Sequence, residues 1–122
     1  EATAVFPKVT ETLLSQGFQV QQLGEGLNPV YAVKFSENEP AVTCFSKVFE
    51  NDFNPQSEFC AIMTCSSADE GCPFVPGAEK RIPVKYDDPK IFDGTAEMDA
   101  KYAERSLEIG AEMFYVFSLS RI

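Results

Sequence analysis

Apolar positions along this chain change period several times, and each change predicts a switch between helix and strand. Pro7 to Gln16 reads as a helix: proline suits its first turn, Val9 and Leu13 share a face, and Gly17 suits a left-handed C-terminal cap. Gly24-Glu25-Gly26 and Asn28-Pro29 then mark a loop. From Val30 to Phe35, the residues Tyr31, Val33 and Phe35 alternate with Ala32 and Lys34, as in a half-buried strand. A polar turn from Ser36 to Pro40 leads into a second β-like run, Ala41 to Phe49, so the pair reads as a hairpin. Asn54 to Glu58 forms a turn before Phe59 to Cys65, an uninterrupted apolar run that predicts a strand covered on both faces. Lys80 to Lys85 reads as a shorter strand, which Pro83 assigns to a sheet edge. The last element is a long helix from about Ala96 to Phe117. Tyr102, Ile109, Met113 and Val116 or Phe117 recur at helical spacing there, and Thr95 is available as N-cap.

Composition narrows what such a chain does. With 122 residues and 44% hydrophobic content, it is expected to form a single α/β domain spanning residues 1–122. A formal charge of -9 argues against nucleic acid and anionic membranes, because binding to either rests on Lys and Arg neutralising phosphates. No apolar run reaches the roughly 18 residues needed to span a bilayer, and Glu1-Ala2-Thr3 does not resemble the basic start of an export signal. A cytoplasmic protein with reduced thiols is expected. Histidine is absent, which removes Ser/His and Cys/His nucleophile pairs and Cys2His2 zinc sites together. Cys44, Cys60, Cys65 and Cys72 contain no Cys-x-x-Cys pair, so neither a metal nor a cofactor is indicated.

Two places carry candidate chemistry. Cys65 and Cys72 lie seven residues apart across a polar loop, close enough for a disulfide, although on spacing alone two unconnected thiols are the preferred reading, since two of four cysteines lying this close is unremarkable. Asp87-Asp88-Pro89 follows the edge strand, where a carboxylate is able to act as general acid. The same Asp-Pro also starts an ordinary turn. Gly24-Glu25-Gly26-Leu27-Asn28-Pro29 lacks the strand-to-helix setting of a dinucleotide fingerprint and is read as a plain loop. Phe114, Tyr115 and Phe117 are expected to face the core or to flank the helix surface.

Taken in order, Cys65-x6-Cys72-Pro73, Lys80-Arg81, Tyr86-Asp87-Asp88-Pro89 and Glu108-Ile109-Gly110 resemble the C-terminal part of thioredoxin-coupled arsenate reductases, within the low-molecular-weight tyrosine phosphatase superfamily. Asn54-Pro55-Gln56-Ser57, Met63-Thr64-Cys65-Ser66, the run Pro73 to Arg81 and Glu112 to Ser118 are similar to a bacterial phosphatase-like branch of it. The resemblance implies an incomplete flavodoxin-like three-layer sheet with an added β-hairpin and a long C-terminal helix. It implies Asp88 as general acid, and Cys65 with Cys72 as the pair that passes oxidising equivalents to thioredoxin. Gly77-Ala78-Glu79 departs from the best-known reductases, and Lys90 stands where the phosphatases carry an aromatic.

The family's nucleophile is a Cys-x5-Arg loop after the first strand, and no cysteine here has an arginine six positions later. The chain is therefore expected to correspond to the last two-thirds of that fold and to be inactive alone as phosphatase or arsenate reductase, engaging phosphate or arsenate only if the loop is supplied. The alternatives are a non-catalytic interaction module and a Cys65/Cys72 dithiol protein. In the family's parallel sheet the loop-bearing strand lies beside the equivalent of Phe59 to Cys65, so a homodimer through that edge is expected.

Overall fold

The computed structural model describes residues 3–64 and 73–120. Its elements are α1 (Pro7–Ser15), β1 (Gln19–Gln22), β2 (Tyr31–Lys34), β3 (Val42–Cys44), β4 (Phe59–Met63), β5 (Ala78–Pro83), a 3-10 turn (Pro89–Phe92) and α2 (Met98–Ser118). The class is α/β, with two α-helices and two small sheets among the described residues. No helix among the described residues is long and apolar enough to cross a membrane. The chain divides into two compact units, one built from Lys47–Asp87 and the other from Thr3–Ser46 with Asp88–Ile122.

In the second of these, the helical unit, local chemistry sets the ends of α1. Pro7 occupies the first turn, where its missing N–H costs nothing. Gly17, at φ 93°, reverses the chain as a left-handed cap, and the Phe18 N–H donates back to the Leu13 carbonyl at 3.0 Å. α1 packs on α2: Ser106 Oγ donates to Gln16 Oε1 at 2.7 Å, and Lys8 Nζ meets Asp99 Oδ1 at 2.7 Å. Tyr102 is buried, with its ring centroid 6.0 Å from that of Phe6. α2 begins at Met98, after Thr95 rather than on it. Thr95 Oγ1 donates to the Phe92 carbonyl at 2.7 Å and accepts from the Glu97 N–H at 3.3 Å, closing the turn that feeds the helix. The expected hairpin forms as β2 and β3, antiparallel, with Tyr31 opposite Cys44 and Val33 opposite Val42. Its second strand is shorter than the run Ala41 to Phe49. A further strand, β1, pairs antiparallel with β2 from Gln19↔Lys34 to Gln22↔Tyr31 and turns the hairpin into a three-stranded sheet.

The first unit holds a two-stranded parallel sheet, with β4 beside β5 in a register that shifts between Phe59↔Ala78 and Cys60↔Lys80. The Val84 N–H continues the pairing to the Met63 carbonyl at 2.9 Å. The expectation that both faces of Phe59 to Cys65 are covered is corrected here. Burial alternates along β4: Phe59 and Ala61 are half-buried and Met63 is buried, whereas Cys60 and Ile62 are exposed. Ile62 is 48% exposed and its register partner Ile82 is 41% exposed, so the face they share is open. An unbroken apolar run is not enough to bury a strand when one of its faces lacks a covering layer. In front of the sheet, Asn54 Nδ2 donates to the Val48 and Phe49 carbonyls at 3.2 Å each, and Gln56 Nε2 donates to the Asn54 carbonyl at 2.8 Å. These amides tie the turn that delivers the chain into β4.

Candidate functional site

Asp88 sits at the N-cap of the 3-10 turn, with extended backbone at φ -69° and ψ 122°. Pro89 follows it and disfavours a helical conformation at Asp88. The side chain folds over the turn, and Oδ1 accepts the Lys90 N–H at 2.9 Å. The carboxylate is exposed and oriented by that bond. Of the two readings of the Asp-Pro pair, the geometry shows the turn: Asp88 caps it.

Downstream of the turn, Tyr102 Oη donates to Asp93 Oδ1 at 2.8 Å, and Lys101 Nζ lies 5.2 Å from the centre of the Phe92 ring. Burial pushes the Tyr102 phenol up to about 12; the Asp93 hydrogen bond adds to this, as do the charges of Asp93 and Asp88. At neutral pH this phenol is a fixed donor. Sequence reading placed Tyr102 only in the helix core. Its partner nine residues earlier gives no periodic signal, because the turn at Thr95 separates Asp93 from the start of α2 at Met98.

A shallow cleft between α1 and α2 is lined by Lys8, Glu11, Thr12, Ser15 and Asp99. The Lys8 ammonium bridges Asp99 and Glu11, and its hydrogen bonds to these carboxylates, Asp99 first, raise its pKa above the ordinary lysine range. A lysine held charged in this way is no general base. The cleft is a structural clasp between two helices.

Of the sequence-derived site residues, Cys65 and Cys72 lie outside the described residues. Cys44 is half-buried on β3, with Sγ 3.8 Å from the Val42 carbonyl oxygen, and Cys60 is exposed on β4. The Gly24 to Pro29 segment is a loop between β1 and β2. Phe114, Tyr115 and Phe117 do not face a core: all three are exposed, on the stretch of α2 beyond Met113.

Comparison with protein-family models, curated proteins and solved structures returned no match.

Proposed function

We propose that this chain is a low-molecular-weight phosphatase-like or arsenate-reductase-like module that is catalytically silent by itself and accepts a further strand along β4. The observation that carries this reading is the asymmetry of the parallel pair. β5 carries Glu79, Lys80, Arg81 and Pro83, which are devices that discourage pairing at a sheet edge. β4 reads Phe-Cys-Ala-Ile-Met, without charge or proline. Parallel sheets are normally found inside larger covered sheets, and an unprotected apolar strand at the rim of a two-stranded one is a seat for a neighbour. In the family it resembles, that neighbour is the strand leading into the Cys-x5-Arg loop. Asp88, with its aligned carboxylate, is the general acid of this reading, and Cys65 with Cys72 its redox pair. A nucleophile, oxyanion donors and a phosphate-clamping arginine all belong to the loop, so Asp88 alone has no leaving group to protonate.

The experiment is hydrolysis of an aryl phosphate, and reduction of arsenate with thioredoxin, by the purified chain. The expected result is a rate equal to that of a mock preparation. Turnover that is lost in Asp88→Asn and absent from the mock would overturn the assignment of a silent module.

A further inference from the structure

Asp93 is the one Asp or Asn in the chain that is followed by glycine. Such a pair carries a reaction of its own. The main-chain nitrogen of the glycine attacks the side-chain Cγ, a C–N bond forms, and the carboxyl hydroxyl leaves with the N–H proton as water, closing a five-membered succinimide. Water then reopens the ring. Cleavage of the new Cγ–N bond restores aspartate, whereas cleavage of the original peptide bond leaves the main chain running through Cβ and Cγ as isoaspartate. One water leaves and one returns, so no oxidant or other reactant is needed and the mass does not change. A following proline forbids the first step because it has no N–H, and a following side chain hinders it. Asn28, Asn54 and Asp88 all precede proline, and Asp99, which precedes the small Ala100, lies inside α2 with its backbone fixed. Gly94 presents neither obstacle.

The pair sits between the 3-10 turn and α2, exposed to water, with Gly94 at φ 75°. Two features hold the reaction back in the folded chain. At ψ 132°, the Asp93 Cβ and the Gly94 nitrogen are far from eclipsed about the Cα–C bond, and ring closure requires them nearly so. The carboxylate is also tied: Oδ1 accepts the Tyr102 hydroxyl at 2.8 Å, and Tyr102 is buried, with its ring 6.0 Å from that of Phe6. Turning Asp93 into the reactive conformation gives up a hydrogen bond to a charged acceptor. We propose that Asp93–Gly94 is a site of spontaneous aspartate isomerisation, and that the Tyr102 hydroxyl sets its rate by holding the Asp93 carboxylate out of the ring-closing geometry. The chemistry is slow beside local opening, so its rate follows the population of the untied state. Conversion is also self-reinforcing. In isoaspartate the free carboxylate sits directly on Cα and the main chain is one methylene longer, so the bond to Tyr102 is not remade in its present geometry and the 3-10 turn loses that tie to α2. The site lies within the helical unit and is independent of the strand-acceptor reading.

Ageing of the full chain at physiological temperature and neutral pH tests it. The peptide containing Asp93 is followed over time by reversed-phase separation and by digestion with a protease that cuts before aspartate and not before isoaspartate. The expected result is a mass-neutral isoaspartate at residue 93 that accumulates about fivefold faster in Tyr102→Phe than in the parent chain, the equilibrium factor for one lost hydrogen bond. Asp93→Glu, whose longer side chain would have to close a larger ring, is expected to form none. Far-UV circular dichroism before ageing checks the fold of each variant. If Tyr102→Phe is unfolded, the parent chain in buffer and in denaturing urea carries the comparison, with an acceleration of about fivefold or more expected in urea. Absence of isoaspartate at residue 93 from the urea-unfolded chain would overturn the site. A rate in folded Tyr102→Phe equal to or below that of the parent chain, or a rate in urea no faster than in buffer, would overturn the control by Tyr102.

Discussion

Gly77 stands just before β5 with φ 83°, and among the described glycines it is the one whose replacement the structure penalises twice. A Cβ built there would collide with the Gln56 carbonyl oxygen, lie 3.0 Å from the Gln56 carbonyl carbon and touch Phe59 Cε1 at 3.5 Å. The first two are backbone atoms, so no rotamer change relieves them. The segment before β4 and the segment before β5 must move apart, at the point where the register already shifts between Phe59 and Cys60. The left-handed backbone costs an alanine about 1–2 kcal/mol, and the overpacking adds about 1–3 kcal/mol. Gly17, at φ 93°, is the internal control, because a Cβ there meets nothing within 4 Å. Gly17→Ala is expected to cost about 1–2 kcal/mol for conformation alone, and Gly77→Ala about 2 kcal/mol more. Urea denaturation of both variants gives the two losses from midpoint and slope, and amide exchange at Ile62 and Ile82 locates the second loss in the parallel pair. If the two substitutions cost the same within about 0.5 kcal/mol, the close approach of Gly77 to Gln56 does not hold the strands together, and the account of this unit is wrong.

Tyr102→Phe removes the hydrogen bond to Asp93 and is expected to cost about 1 kcal/mol at neutral pH by chemical denaturation. Because the folded phenol is raised from 10.0 to about 12, its contribution is complete below pH 10 and is lost as the pH rises towards 12; the stability gap between the parent chain and Tyr102→Phe should therefore shrink across that window. A gap that widens above pH 10 would refute the burial of this phenol. At the turn, Asp88→Ala is expected to lose about 0.5–1 kcal/mol with the cap, while Asp88→Asn, which keeps an acceptor for the Lys90 N–H, should lose a few tenths at most. Equal losses in the two variants would mean that the cap is not made.

Local chemistry was readable from residue order wherever one residue and its neighbours decide the outcome. Pro7 and Gly17 bound α1 because a missing N–H and a positive φ are properties of single residues. Alternation from Tyr31 to Lys34 and a polar turn were enough for the β2–β3 hairpin, whose partners are close in the chain. Asp88-Pro89 announced its turn, and the carboxylate of the candidate site is oriented by that same local geometry.

What sequence could not decide depended on residues distant along the chain. Gln19–Gln22 has one apolar residue among four and no strand signature; β2 makes it a strand by supplying hydrogen-bond partners. The apolar run of β4 predicted burial on two faces, but burial requires a second layer, and only the fold shows that Ile62 and Ile82 face outward. The aromatic residues at the end of α2 carry the same hydrophobic signal as Tyr102. Periodicity marks both as apolar, and only packing separates the stripe that α1 covers from the one left open. Hydrophobicity is a property of each side chain, whereas burial belongs to a pair of surfaces, and the second surface is set by tertiary structure.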